Sequence, residues 1–448
     1  MEEVTLEQVL SAREERVNRQ RALLERYHMP VISFGMNIPG PVKDTPLIRR
    51  AFFVGRDRLR AALDAACVKV LRKEETLSTT GCEYLCAVKT DALTVKKLCV
   101  QIEDETSLGR LFDMDVLSPE GEKLDREAVG GGERNCIVCG AAGRGCASRR
   151  VHSVEELQAA ARRIMVDYFA KADRRDVSDK VTQALLDELY TTPKPGLVDR
   201  YNNGSHKDMT LATFEASAKA LRPFWGKCVE IGQRTADELP AETFAQLREL
   251  GKAAEQDMYA ATGGVNTHKG AIFTLGVICG ALGRLWRAEA PCRDVDLITR
   301  ECSDMTRAAM DADFAALLPE TVQTTGERLY LEHGLKGIRG EMANGLLSVK
   351  NVALPMIHDA IAAGYNINRA GVYALLALIA RGRDTNMIAR GGKERADAAS
   401  KWAEELLYRC DYPPLTAVEV LNRKFVAENL SPGGCADLLA AALFLYSL

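Results

Sequence analysis

Residues 192–209 read TPKPGLVDRYNNGSHKDM, eighteen residues with two prolines, two glycines, a histidine, two lysines and two aspartates. Pro195 removes a backbone donor, and Gly196 and Gly204 open backbone angles that a helix does not use. The run is also too polar for a central strand. It predicts a long loop dense in donors, acceptors and charge, and such a loop inside a compact domain is more often functional than idle. The chain changes character shortly before it, at 172–180. Beyond it strand signals almost vanish, and helical periodicity covers 210–221, 242–256, 271–288, 295–317, 351–363, 370–379, 393–408, 417–428 and 436–445. Before it the pattern is mixed. Residues 1–26 are amphipathic, VISFGM, 85–88, 98–103 and LFDMDVL (111–117) read as strands, and 59–70, 154–171 and 181–190 read as helices. Between these last two, ADRRDVSDK (172–180) replaces hydrophobic pattern with charge and marks the expected domain boundary.

Bulk properties narrow the function class. The chain has 448 residues, 47% hydrophobic and 27% charged, with a net charge of −3, so it has room for more than one core and no electrostatic footprint for nucleic acid. The N-terminus is too charged for a signal peptide, and the longest apolar run is too short and glycine-rich to span a bilayer. Thirteen scattered cysteines, an odd number, fit reduced thiols in a cytoplasm better than a disulfide framework. The expectation is a soluble cytoplasmic protein of more than one domain, with no membrane or nucleic-acid partner.

Chemistry in the first part centres on GRLFDMDVL. Alternation on a strand puts Asp113 and Asp115 on one face, and paired carboxylates are favourable when a divalent cation such as Mg²⁺ lies between them. A solvated strand face is the alternative. Lys43, Arg49 and Arg50, after a proline loop, are candidates for phosphate. Cys136, Cys139, Cys146 and His152 offer the donor set of a closed zinc site. Their spacing matches no common finger, however, and a basic loop or plain core thiols is the favoured reading there.

In the second part four further loops pair glycine with polar groups at a helix edge: TGGVNTHKG (262–270), GIRGEMANG (337–345), RDTNMIARGG (383–392) and SPGGCAD (431–437). Paired glycines ahead of a helix, such as Gly263–Gly264 and Gly433–Gly434, expose backbone N–H groups at its positive end. With the opening loop they gather carboxylates (Asp208, Glu341, Asp384, Asp437), amides (Asn266, Asn386) and cations (Lys194, His206, Lys207, His268, Lys269, Arg339). A magnesium-bound triphosphate needs that mixture. Helix capping is the ordinary reading of any one of them, Asp384 in particular.

These loops together resemble the triphosphoribosyl-dephospho-coenzyme A synthase family over roughly 175–448. NIPGPVKDTPLIRRAF, GRLFDMDVL and CIVCGAAGRGCASRRVHS resemble the holo-citrate-lyase synthase family, the phosphoribosyl-dephospho-coenzyme A transferases, over roughly 5–170. The resemblance implies an α+β nucleotidyltransferase-like domain over 1–172 and an all-α domain over 173–448. The second would join ATP to 3′-dephospho-CoA with release of adenine. The first would transfer the product to a serine of the citrate lyase acyl carrier protein with release of pyrophosphate. Thr106–Ser107, where the family tends to have His-Pro, and Cys435, where serine is usual, depart from the pattern.

In this scheme Asp113 and Asp115 hold magnesium, with Arg110, Lys43 and Arg50 balancing phosphate charge. Asp208 or Glu341 accepts the attacking hydroxyl's proton, and Asp384 and Asp437 take a second magnesium. Lys194, Lys207, Lys269 and Arg339 hold phosphates, Gly263, Gly264, Asn266, Asn386, Gly433 and Gly434 complete the nucleotide site, and His206 or His268 protonates the departing adenine. The same prosthetic-group chemistry serving malonate decarboxylase, or a non-catalytic carrier-binding module, are the rival readings.

Overall fold

The computed structural model describes residues 2–382 and 384–448. Two compact units emerge, Met1–Ala172 with Ala288–Ala290, and Asp173–Arg287 with Pro291–Leu448.

The first unit opens with α1 (Leu6–Tyr27), whose start is fixed by a reciprocal Thr5–Gln8 capping box. Then come β1 (Val31–Met36), α2 (Pro46–Ala65), the hairpin β2 (Lys69–Ser78) and β3 (Gly81–Lys89), α3 (Ala92–Glu105) and β4 (Phe112–Leu117). The four strands form an antiparallel sheet in the order β2-β3-β1-β4. One face is apolar: Phe34 stacks on Phe52 of α2 at 5.0 Å and meets Phe112 edge-on at 5.5 Å. The other carries a smaller cluster of Leu23, Val31, Leu85 and Ala87 under α1, beside an ion pair from Arg16 to Glu83 at 3.2 Å.

Two elements differ from the sequence reading. Residues 98–103 alternate like a strand but lie in α3, where Val95, Cys99 and Ile102 recur at helical spacing on a buried side. Asp91 supplies the signal for that helix, accepting the Thr94 N–H at 2.8 Å as an N-cap. The strand β2 was not expected, because an edge strand of charged residues carries no hydrophobic alternation.

A short α4 (Gly143–Arg149) precedes α5 (Val154–Tyr190), a single helix of 37 residues. The charged stretch 172–180 lies inside it, since charge on an exposed helical face does not break a helix. The second unit is all-helical: α6 (Leu211–Arg234), α7 (Pro240–Thr262), α8 (Lys269–Arg284), α9 (Val295–Ala315), α10 (Thr325–His333) and α11 (Gly337–Ala343). It continues with α12 (Leu354–Ala362), α13 (Ile367–Ala380), α14 (Thr385–Gly391), α15 (Lys393–Arg409), α16 (Leu415–Ala427) and α17 (Gly433–Tyr446). Helices α8, α13 and α17 are buried nearly all round, which makes them the axis of one large core. Two stretches expected as loops, 337–345 and 383–392, are largely helical as α11 and α14; Arg383 itself lies outside the described residues.

Among the described residues no helix is long and apolar enough to cross a membrane. The cysteines are free, with Cys67, Cys139 and Cys410 exposed and Cys82, Cys86, Cys99, Cys228, Cys279, Cys302 and Cys435 buried.

Candidate functional sites

In the first unit Asp113 and Asp115 share a face of β4, opposite Gly35 and Ser33 of β1, while Phe112, Met114 and Val116 point into the core. β4 is an edge strand, so its outer backbone groups need partners. The Met114 N–H is accepted by Glu103 at 2.9 Å, the Met114 carbonyl takes Lys96 Nζ at 3.2 Å, and the Phe112 carbonyl takes Arg134 at 2.7 Å. These side chains clamp the backbone that presents the two carboxylates. Crowding by surrounding protein, then the neighbouring Asp115, push the Asp113 pKa up, against Lys123, Arg134 and Arg16. Lys123 also pairs with Asp115 at 2.7 Å.

The other expected residues of this unit are spread more widely. Arg110 donates to the Asn135 carbonyl, and burial followed by Arg134 and Arg126 depresses its pKa. Lys43 donates to the Ile38 carbonyl, its pKa lowered by burial and then by Arg13. Arg50 lies 3.9 Å over the Phe169 ring and donates to the Ala288 carbonyl. Lys96, Glu103, Lys123 and Arg134 escaped the sequence reading. Only the misread helix at 98–103 pointed to any of them.

In the second unit one cavity of about 510 Å³ is walled by all five glycine-bearing loops. Lys194, His206, Asn266, His268, Lys269, Arg339, Asn386, Gly433, Gly434 and Asp437 line it. The polar stretch around Lys194 is buried, and Asp199 holds it in place by accepting the N–H groups of Lys194, Tyr201 and Asn202. Lys194, 2% exposed, donates from Nζ to Glu188 Oε1 at 2.6 Å and to the Glu188 carbonyl at 2.8 Å. Asp437 abuts the first turn of α8 so closely that a Cβ at Gly270 would fall 1.9 Å from its Oδ2. Burial, then Glu188 and Asp384, push the Asp437 pKa well up, while the Ala271 N–H favours its charged form.

His268 is 3% exposed, and its Nδ1 meets Ser217 Oγ at 2.7 Å while its Nε2 is buried without a partner. Desolvation, then Lys194, lower its pKa to about 3, so the ring is neutral. His206 Nε2 meets Ser431 Oγ at 2.8 Å, and burial followed by Arg390 lowers its pKa too. Lys269 pairs with Glu255 at 2.9 Å and Arg339 with Glu327 at 3.8 Å. The helix α17 has no side-chain N-cap, and its first residues, Gly433 and Gly434, stand in the cavity wall.

Six expected residues do not line the cavity. Lys207 and Asp208 are exposed beside His206, and Gly263 and Gly264 end α7 in left-handed conformation. Glu341 accepts Ser348 Oγ at 2.5 Å and the Ser348 N–H at 3.1 Å, tying down the chain after α11. Asp384 caps α14 through the Asn386 and Met387 N–H groups and takes the Cys435 N–H at 2.8 Å, which welds α14 to α17. A carboxylate with three backbone donors is committed to structure. Glu188 was missed, because a single acid in a regular helical pattern carries no signal of its own.

Family models match both parts of the chain. Residues 4–168 match the model described as apo-citrate lyase phosphoribosyl-dephospho-CoA transferase, and residues 174–448 match ATP:dephospho-CoA triphosphoribosyl transferase. A relative from Haemophilus influenzae named Protein CitXG is 34% identical, the alignment covering 99% of this chain and 96% of that one. Its counterpart from Leuconostoc mesenteroides is 31% identical over 100% of this chain and 98% of its own. The 2-(5''-triphosphoribosyl)-3'-dephosphocoenzyme-A synthase of Pectobacterium atrosepticum is 40% identical over 64% of this chain and 94% of its own. With both models matched and relatives aligned from end to end, the chain belongs to the fused family that unites these two transferases, and is a bifunctional enzyme of citrate lyase prosthetic-group synthesis.

Proposed function

We propose that adenine release takes place in the five-loop cavity and transfer to the carrier protein at the Asp113–Asp115 face, each with its own magnesium. The convergence of all five loops on one cavity carries the first assignment. Cations on its wall (Lys269, Arg339 and Arg390) suit a triphosphate, since fixed cations stabilise phosphate charge.

Asp437 and Glu188 replace Asp208 and Glu341 as the working carboxylates. Their mutual repulsion, only partly met by Lys194, fits a site completed by a divalent cation, which would screen the phosphates. The cation apart, Asp437 is placed to take the proton of the attacking hydroxyl as positive charge builds on the ribose. A neutral His268 has no extra proton to give. Its free Nε2 instead suits a hydrogen bond to a ring nitrogen of the departing base, with Ser217 on Nδ1 holding the ring's orientation. At the other site Asp113 and Asp115 would hold magnesium as nucleotidyl-transfer sites do, with Arg134 and Lys123 near the phosphates. That is the sense in which the first unit is nucleotidyltransferase-like. The acyl carrier protein of citrate lyase is the partner that accepts the group, and the setting is cytoplasmic.

The test follows adenine by chromatography from ATP, 3′-dephospho-CoA and magnesium. Asp437→Asn is expected to abolish release, whereas Asp208→Asn retains it within about threefold. Normal release by Asp437→Asn would overturn the assignment.

A further inference from the structure

The segment 136–156 supplies no residue to either proposed site, yet its backbone is closely tied. Cys136 and Cys139 lie on a tight turn closed by the Gly140 N–H to the Cys136 carbonyl at 3.0 Å and the Cys136 N–H to the Ala141 carbonyl at 2.7 Å. Gly140, directly after the second cysteine, has a φ of 75°, the left-handed conformation such a turn demands. Cys146 comes from α4, and His152 from the link between α4 and α5. Residues separated by up to sixteen positions in sequence thus meet, and one ligand atom from each lies within 4.8 Å of all the others.

We infer that Cys136, Cys139, Cys146 and His152 form a closed structural zinc site. The Cys139 and Cys146 sulfurs are 3.5 Å apart, far beyond a disulfide bond and close to the ~3.8 Å edge of a tetrahedron with Zn–S of ~2.3 Å. The Nε2 of His152 is buried with no partner, as a ligand atom would be in the absence of its metal. Its Nδ1 lies 3.8 Å from Glu156, so a small shift would bring that carboxylate into the orienting position that metal-bound imidazoles use. The irregular spacing is explained by the fold: two ligands come from a turn, one from a helix and one from the residues after it.

The metal has a structural consequence for the carrier site. Asn135 accepts Arg110, Gly143 donates to the Arg134 carbonyl at 3.0 Å, and Arg134 in turn grips the edge of β4 beside Asp113. Zinc would therefore anchor the segment that supplies Arg134. Binding needs no oxidant: each cysteine gives up a proton as it coordinates.

The experiment uses the full chain, purified without a metal-binding tag, and measures zinc by mass spectrometry and by release on thiol modification. About one zinc per chain is expected. Cobalt substitution of the unmutated protein should give the intense visible bands of a tetrahedral site with sulfur-to-cobalt charge transfer. Cys139→Ser and Cys146→Ser should lose zinc at least tenfold, His152→Cys should retain it, and Cys67→Ser should change nothing. An apoprotein that takes up neither zinc nor cobalt, a Cys139–Cys146 disulfide in the native chain, or an octahedral cobalt spectrum would each overturn the inference. The cobalt spectrum decides the matter even if the serine variants do not fold.

Discussion

Replacing Lys194 by methionine separates structure from chemistry in the adenine-release site. Lys194 and Glu188 are buried, their charged atoms 2.6 Å apart, with side-chain exposures of 2% and 7%. Removing one member of such a pair leaves an uncompensated charge, a loss of about 3–5 kcal/mol. For a unit of this size each kcal/mol lowers Tm by about 2–4 °C, so Lys194→Met should lower the transition of the second unit by about 6–20 °C. Glu188→Gln in the same chain removes the stranded charge and should return more than half of that loss, because contacting pairs are not additive. Calorimetry of the four proteins of the cycle reads the stability, and adenine release reads the function. If Glu188 holds a cation and Lys194 orients it, activity stays lost in the rescued double variant. A Lys194→Met protein within about 1 kcal/mol of the parent would refute the argument, since no buried pair could then exist.

Three further outcomes follow from the geometry. Asp113→Asn should cut transfer to the carrier about 100-fold or more, through loss of several kcal/mol of transition-state stabilisation, while adenine release stays normal; a fall in both activities would refute separate sites. Gly270→Ala places a Cβ 1.9 Å from the Asp437 carboxylate and should slow adenine release about 100-fold by displacing it; unchanged kinetics would place Asp437 outside the chemistry. The folded-state pKa of Asp437 is raised above its ordinary 3.8, so the folded form binds the proton more tightly and stability falls as pH rises from there through the raised value. Asp437→Asn should therefore melt higher than the parent at pH 7 with the gap closing below about pH 4, and a lower Tm at pH 7 would contradict the sign.

The two-part architecture and the loop-lined site were legible for different reasons. Asp113 and Asp115 could be placed on one face because strand alternation is a rule of covalent geometry, and the neighbours in β4 obey it. The five loops advertised themselves by glycine beside polar groups. What such composition could not show is which polar groups are spent on holding the loops. Asp384 and Glu341 look like ligands in sequence, but in the fold each carboxylate also holds local structure, Asp384 through the Cys435 amide and Glu341 through Ser348. Glu188 is the converse: it gains meaning only when α5 brings it against Lys194 and towards Asp437. The helix at Ala92–Glu105 was read as a strand in part because Leu98, Val100 and Ile102 alternate over too short a window to distinguish the two periods.

The distribution of thiols opens a practical route to the enzyme's motions. Seven cysteines are buried, and burial holds thiols such as Cys86 in the unreactive form, its pKa pushed up to about 12. Cys139 belongs to the proposed zinc cluster and would be shielded by its metal. Cys67 and Cys410 are the exposed thiols that remain among the described residues, one on each unit and neither on the wall of the five-loop cavity. A maleimide donor–acceptor pair on the unmodified chain would then report, molecule by molecule, whether the units change separation as ATP, dephospho-CoA or the carrier protein is added.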